Sequence, residues 1–270
     1  MSFPRLPRRW RAVVMLPALA AAAVTLAGCD LMMADLSARA TDQWKKTYTL
    51  AAGGRVTVLN INGKIDVERS TGNTVEIQAE KIAKGASEQA AKEALSRIEI
   101  VEQASEQEVR IETRVPKTGL FGQGGLEVRY LVKVPAGVEL HVRTVNGGVN
   151  LADVSGTLRA ETTNGGIDGR RLSGSLEAGT TNGGIDVQMD KVATGGVKLE
   201  TTNGGIDLQI PKDTPATINA RLTNGRIDAS SLPVQTQGEA TRRRLEGTIN
   251  GGGAPITLET TNGGITIGAK

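Results

Sequence analysis

Three kinds of side chain could carry chemistry in this sequence. The first is a set of carboxylates at a fixed offset: Asp66, Asp168, Asp186, Asp207 and Asp228 each stand four residues after an Asn. Stacked about 5 Å apart, such groups repel by roughly 1 kcal/mol per pair even in water. Asp168, Asp186, Asp207 and Asp228 therefore form a candidate row for a divalent cation or a basic partner. The other reading is that they splay into solvent or bond nearby turn amides. The second is His141, the single His, which lies on an outward row and reads as a solvated surface group. The third is Cys29, the single Cys. One Cys permits no intrachain disulfide, and one Cys with one His builds no zinc site. The repeated Asp are equivalent, so no pair is marked as acid and base. Only Trp44, Tyr48, Phe121 and Tyr130 follow Cys29 as aromatics, which is poor material for sugar platforms. The chain is read as non-enzymatic and without cofactor or resident metal; a polysaccharide-active enzyme is the third choice.

Cys29 has a context of its own. Arg5 to Arg11 form a basic stretch, Ala12 to Leu26 is apolar apart from Pro17 and Thr25, and Leu26-Ala27-Gly28-Cys29 follows. That order reads as a secretory signal, and the apolar run is shorter than the roughly 20 residues a spanning helix needs. The last four residues resemble the bacterial lipobox, which implies cleavage before Cys29 and acylation there. Acyl chains, at about 0.8 kcal/mol per buried CH₂, would hold the protein in a leaflet. Asp30 resembles the signal that retains lipoproteins in the inner membrane. The expected site is thus the periplasmic face of the inner membrane, with the outer membrane as alternative. Residues 1–28 are read as signal peptide and 29–46 as a lipidated tether. The formal charge of +3 falls to −1 without the four Arg that precede Cys29, so charge gives no case for nucleic-acid binding. Arg242-Arg243-Arg244, the one basic run, reads as a solvated face.

The elements that would position the Asp row come from internal repetition. Asn-Gly-Gly-Ile/Val recurs at Asn146, Asn164, Asn182, Asn203 and Asn262, with variants at Asn224 and Asn62. Successive spacings from Asn146 to Asn224 are 18, 18, 21 and 21 residues. Counted from each of these six Asn from Asn146 to Asn262, apolar residues or Thr stand six, four and two before it, and Val or Ile three after. This is period-two alternation, a turn, and a second short strand; the Gly pair is expected to supply positive φ for the turn. The outward rows put Arg159 beside Glu177 beside Lys198, Arg143 beside Glu161, and Glu200 beside Arg221 if the repeats stack in sequence order. Opposite charges on neighbouring strands favour that register by about 0.2–1 kcal/mol per pair.

The expected fold is therefore all-β: a single-stranded right-handed parallel β-helix with about 18–21 residues per coil over 136–270. The Asn residues (Asn146, Asn164, Asn182, Asn203, Asn224 and Asn262) would form a corner ladder, read as turn chemistry rather than ligand binding. Residues 47–135 are expected to hold one coil (Arg55 to Val67) and a β-rich cap with one short helix. In that cap Thr74 to Ala79 reads as a strand and Ser87 to Arg97 as the helix. Ile98 to Gln103 and Glu108 to Val115 suggest a hairpin, Gly119 to Gly125 a loop with Phe121 at its tip, and Leu126 to Val134 a strand. Capping blocks edge-to-edge association of open coils.

Thr-Thr-Asn-Gly-Gly-Ile-Asp, with Gly247-Thr248-Ile249-Asn250-Gly251-Gly252-Gly253-Ala254-Pro255-Ile256, resembles a bacterial adhesin-like domain family of unknown function with β-strand repeats. The resemblance spans about Arg55 to Ile267. It implies a β-helix-like fold and brings no catalytic or binding residues with it. The function expected is an envelope lipoprotein acting as a structural or binding scaffold, held to the membrane by its lipid, with a protein or glycan partner. The alternative is an inner-membrane sensor or accessory subunit of an envelope process.

Overall fold

Alternation of apolar and polar residues becomes strand after strand in the computed structural model, which describes residues 38–115, 125–237 and 241–270. Leu26 to Asp30 and the Phe121 loop tip lie outside the described residues. In chain order the elements begin with β1 (Ala38–Thr49), β2 (Arg55–Leu59), β3 (Ile65–Arg69), β4 (Thr74–Gly85), helix α1 (Glu88–Leu95), β5 (Glu99–Ala104), β6 (Glu108–Arg114) and β7 (Leu126–Val134). The repeats supply β8 (Val138–Arg143), β9 (Val149–Ala152), β10 (Ser155–Asn164), β11 (Ile167–Asn182), β12 (Ile185–Asn203), β13 (Ile206–Ile210), β14 (Ala216–Asn224) and β15 (Ile227–Asp228). Then come β16 (Gln235–Thr236), β17 (Arg244–Ile249), β18 (Ala254–Asn262) and β19 (Ile265–Ala269). All nineteen join one continuous sheet.

Each coil is a strand that ends at the Asn, a glycine corner, and a strand that starts at the Ile. Neighbouring coils pair in parallel and in register. Leu158 stands opposite Leu140 and Leu176, and Ile185 opposite Ile167 and Ile206. The inward rows counted from the Asn make the core, from Leu140, Val142 and Thr144 in one coil to Ile256, Leu258 and Thr260 in another; only Ile227 among them is half-buried. The change from 18 to 21 residues per coil is absorbed by register shifts between β11 and β12 beyond Gly169.

The order of coils departs from the order in sequence. β18 pairs with β12 on one side and β14 on the other, and β19 lies between β13 and β15. The last coil in sequence is thus inserted between two coils that follow each other in the chain. The opposite end mirrors this. β2 lies between β6 and β8, and β3 between β7 and β9, so the first coil in sequence is also internal. Glu200 consequently faces Glu259, and Glu259 faces Arg221, which corrects the expected Glu200–Arg221 neighbours.

The sheet is mixed rather than wholly parallel. Antiparallel pairs close both ends: β1–β4, β4–β7 and β5–β6 at one, β14–β17 and β16–β17 at the other. Residues 38–46, read from sequence as tether, form most of β1 and pair with β4. β4 itself runs on to Gly85, beyond the Ala79 expected. There the missing side chain matters, because a Cβ on Gly85 would stand 2.6 Å from the Ala91 backbone nitrogen of α1. The helix can therefore lie directly on the strand. Ser87 is its N-cap, accepting from the Ala90 N–H, so the helix starts one residue inside the expected span, and it ends at Leu95, two residues short of Arg97.

Candidate functional site

The candidate site is the corner where each coil turns. Asn164 donates through Nδ2 to Asn146 Oδ1 at 2.8 Å, and Asn182 to Asn164 at 2.8 Å. Asn203 donates to Asn182 at 2.9 Å, Asn262 to Asn203 at 2.9 Å, and Asn224 to Asn262 at 2.8 Å. At the other end Asn146 donates to Asn62, which passes its own N–H to the Leu126 carbonyl at 3.1 Å. Seven amides therefore point one way along the stack, a chain in which each bond polarises the next.

The first glycine of each corner is fixed by close approach. A Cβ on Gly165 would meet the Gly147 carbonyl oxygen at 2.1 Å. The expected positive φ holds at some corners, as at Gly63 (117°) and Gly225 (144°), but not at Gly165, Gly183 and Gly204, where close approach alone is the reason. The second glycine is under weaker constraint: a Cβ on Gly166 meets Gly184 O at 3.3 Å, and Lys64 and Arg226 occupy the same position in other coils. Beneath the corner, buried Thr162, Thr180, Thr201 and Thr260 each donate a hydroxyl to a neighbouring glycine carbonyl at 2.8–2.9 Å. These threonines satisfy the carbonyls of the corner from inside the core.

Outside the corner run two polar faces. On one side Thr181, Thr202, Thr261 and Thr223 are exposed. They line a shallow groove of about 610 Å³ together with Arg143, Glu161, Glu200, Glu259 and Arg221. Its charges are largely matched: Arg159 bonds Glu161 and Glu177, Lys198 bonds Glu200 at 3.0 Å, and Arg221 reaches Glu259 at 3.3 Å. His141 belongs to this face but is only part-exposed. Its Nε2 is buried without a hydrogen-bond partner and lies 3.7 Å from Glu161, so it is not the fully solvated group expected.

On the other side lies the Asp row. Asp168, Asp186 and Asp207 are consecutive, while Asn150 separates Asp66 from Asp168 and Thr266 separates Asp207 from Asp228. The ends are quenched locally. Asp66 accepts from Asn150 and pairs with Lys64, and Asp228 is held below the usual carboxylate range by the Ser230 backbone and hydroxyl. Asp207 is the exception. Burial, with the Asp186 charge beside it, pushes its carboxyl up, and its Oδ1 is buried without a partner. Among the described residues, no group of three or more His, Cys, Asp or Glu converges as a metal centre requires.

A second corner was not legible in the repeat alignment. Arg171 makes a two-pronged ion pair with Asp153, both bonds 2.6 Å, across one coil spacing of 18 residues. Both residues are left-handed, at φ 52° and 59°, where glycine would be expected. In the next coils Lys270 pairs with Asp190. Opposite charges at a shared offset are the only trace of this corner in the sequence.

The model of the Toastrack DUF4097 family matches residues 132–268, from the end of β7 through β19. The chain belongs to this Toastrack family. The solved structure of a Clostridium sporogenes protein described as a "putative cell adhesion protein" is similar at 14% identity, with a TM-score of 0.52, over 86% of this chain and 100% of that one. That span exceeds the Toastrack match, so the likeness in fold takes in coils before residue 132. A Bacteroides fragilis "putative adhesin" is aligned over 85% of this chain and 97% of its own at 10% identity and TM-score 0.32. A Parabacteroides distasonis "putative lipid binding protein" is aligned over 84% and 96% at 10% identity and TM-score 0.23. No curated protein matches the chain.

Proposed function

We propose that this Toastrack chain is a non-enzymatic envelope lipoprotein, anchored through Cys29, whose coil stack is a rigid scaffold for contact with a protein or glycan. The observation that supports this most is the corner strip itself. Exposed Thr and Asn repeat over successive coils, about 4.8 Å apart, with Asp168, Asp186 and Asp207 consecutive beside them, on corners whose Asn amides bond one another. Such a strip offers one contact many times over, which suits avidity on a repetitive partner. The adhesion-type description of the Clostridium sporogenes protein agrees with this reading. Its coils are taken to wind right-handed, as parallel crossover connections do.

Asp30, directly after Cys29, favours a second reading, in which the scaffold stays at the inner membrane as a sensor or accessory subunit. Membrane fractionation of wild type beside Cys29→Ser, with mass spectrometry of the mature N-terminus, tests both. Acylated Cys29 in the outer membrane supports adhesion, and in the inner membrane supports the accessory role. A soluble, unacylated wild type would remove the anchor.

A further inference from the structure

The chain contains eight Asn-Gly bonds, at Asn62, Asn146, Asn164, Asn182, Asn203, Asn224, Asn250 and Asn262. Such bonds are open to attack by the glycine nitrogen on the Asn side-chain carbonyl. The corner ladder removes that nucleophile. Gly63, Gly147, Gly165, Gly183, Gly204 and Gly263 each donate their N–H to the carbonyl of the next Asn in the stack, at 2.7–3.0 Å. Gly225 and Gly251 donate to no backbone carbonyl among the described residues. Gly225 is nevertheless enclosed: its Cβ position lies 2.0 Å from Gly263 O, and Asn224 is tied to Asn262.

Asn250 stands apart from the ladder. It is exposed and left-handed at φ 51°, and Gly251 and Gly252 follow at φ 84° and 83°. A Cβ on Gly251 would meet nothing within 4 Å. The Asn250 Nδ2 donates to the Lys212 and Thr214 carbonyls at 2.8 and 3.0 Å. Those carbonyls belong to residues 211–215, the link that carries the chain from β13 past the inserted coil to β14.

We propose that Asn250 is a site of spontaneous deamidation, and that its conversion unclamps this link. The deprotonated Gly251 nitrogen attacks Asn250 Cγ, a C–N bond forms, and Nδ2 leaves as ammonia. Water then opens the succinimide at either carbonyl, giving aspartate or isoaspartate; amide plus water becomes acid plus ammonia, with no change of oxidation state. The new carboxylate cannot donate, so the Lys212 and Thr214 carbonyls lose their partner and face a negative charge instead. In the isoaspartate product the backbone is also lengthened by one carbon within the left-handed turn.

The test is to age the full-length native protein in mildly alkaline buffer and map all eight sites by peptide mass spectrometry. Isoaspartyl methyltransferase is used as an independent label. Freeing one backbone N–H corresponds to conversion at Asn250 on the order of tenfold faster than at Asn164. In denaturant the ladder sites should rise to meet it. Equal native rates at Asn250 and Asn164 would overturn the assignment. Asn250→Asp should lower the melting temperature by about a few degrees and speed amide exchange across 210–216. A variant with wild-type melting and exchange would overturn the clamp.

Discussion

Asn203 accepts its 2.9 Å ladder bond from Asn262, 59 residues later, and not from Asn224, the next repeat in sequence. The same order holds along the whole strand, because Val197, Leu199 and Thr201 face Ile256, Leu258 and Thr260. A cross-linking experiment reads it directly. In a Cys29→Ser background, Thr202→Cys with Thr261→Cys should form a disulfide, since parallel neighbours stand about 4.8 Å apart. Thr202→Cys with Thr223→Cys should not, being separated by an intervening strand. Coils stacked in sequence order would give the opposite pair of results.

Ile185 is 2% exposed and faces Ile167 and Ile206 on adjacent coils. Ile185→Asp places an unpaired carboxylate in that row, where no partner can neutralise it. Loss of more than about 3 kcal/mol is expected, read as a large shift of the urea midpoint. An unchanged midpoint would mean the row is not core.

Two neighbouring glycines should behave differently. Gly165→Ala drives a methyl against the Gly147 carbonyl at 2.1 Å and should cost about 1–3 kcal/mol. Gly166→Ala meets Gly184 O at 3.3 Å and should cost less than about 1 kcal/mol. Parallel thermal melts of the two variants decide the matter; equal losses would show that turn conformation, rather than close approach, fixes the first glycine.

Asp207 gives a pH dependence with a definite sign. Its carboxyl is raised above its ordinary value of 3.8, first by burial and then by Asp186. The folded state therefore holds this proton more tightly than the unfolded chain does. Stability from this group is greatest below the unfolded value and is lost as pH rises through the raised folded value. Asp207→Asn should accordingly stabilise the fold at neutral pH and flatten the slope just above pH 3.8. A destabilised variant at neutral pH would point to a bound cation or partner that needs the charge.

The inward rows were legible because one alternation, repeated in every coil, can only bury one set of side chains. Leu140, Leu158, Leu176, Val197, Ile218 and Ile256 all fall in the core as the pattern requires. Coil order was not legible for the same reason. Every coil presents Asn, Gly and Ile to its neighbours, so any stacking order satisfies the ladder equally well. The outer charges do not select the order either: Arg221 stands beside Glu259 in both, and the observed order sets Glu200 beside Glu259. β1 was missed because Asp42 and Lys46 share the inward-facing positions with Trp44 and Tyr48, which hides the alternation. The Asn recur at one offset in the sequence, but the direction of their hydrogen-bond chain and its extension to Asn62 depend on how the coils stack.

The inserted coil has a mechanical consequence. A strand lying on the outside of a sheet can be peeled away one bond at a time. β18 and β19 are instead gripped along both flanks, by β12 and β13 on one side and β14 and β15 on the other. Pulling them out lengthwise must shear two rows of hydrogen bonds together, so the load is shared rather than passed from rung to rung. This coil is thereby among the parts of the stack hardest to unzip, behaving as a wedge driven between two leaves and not as a loose flap.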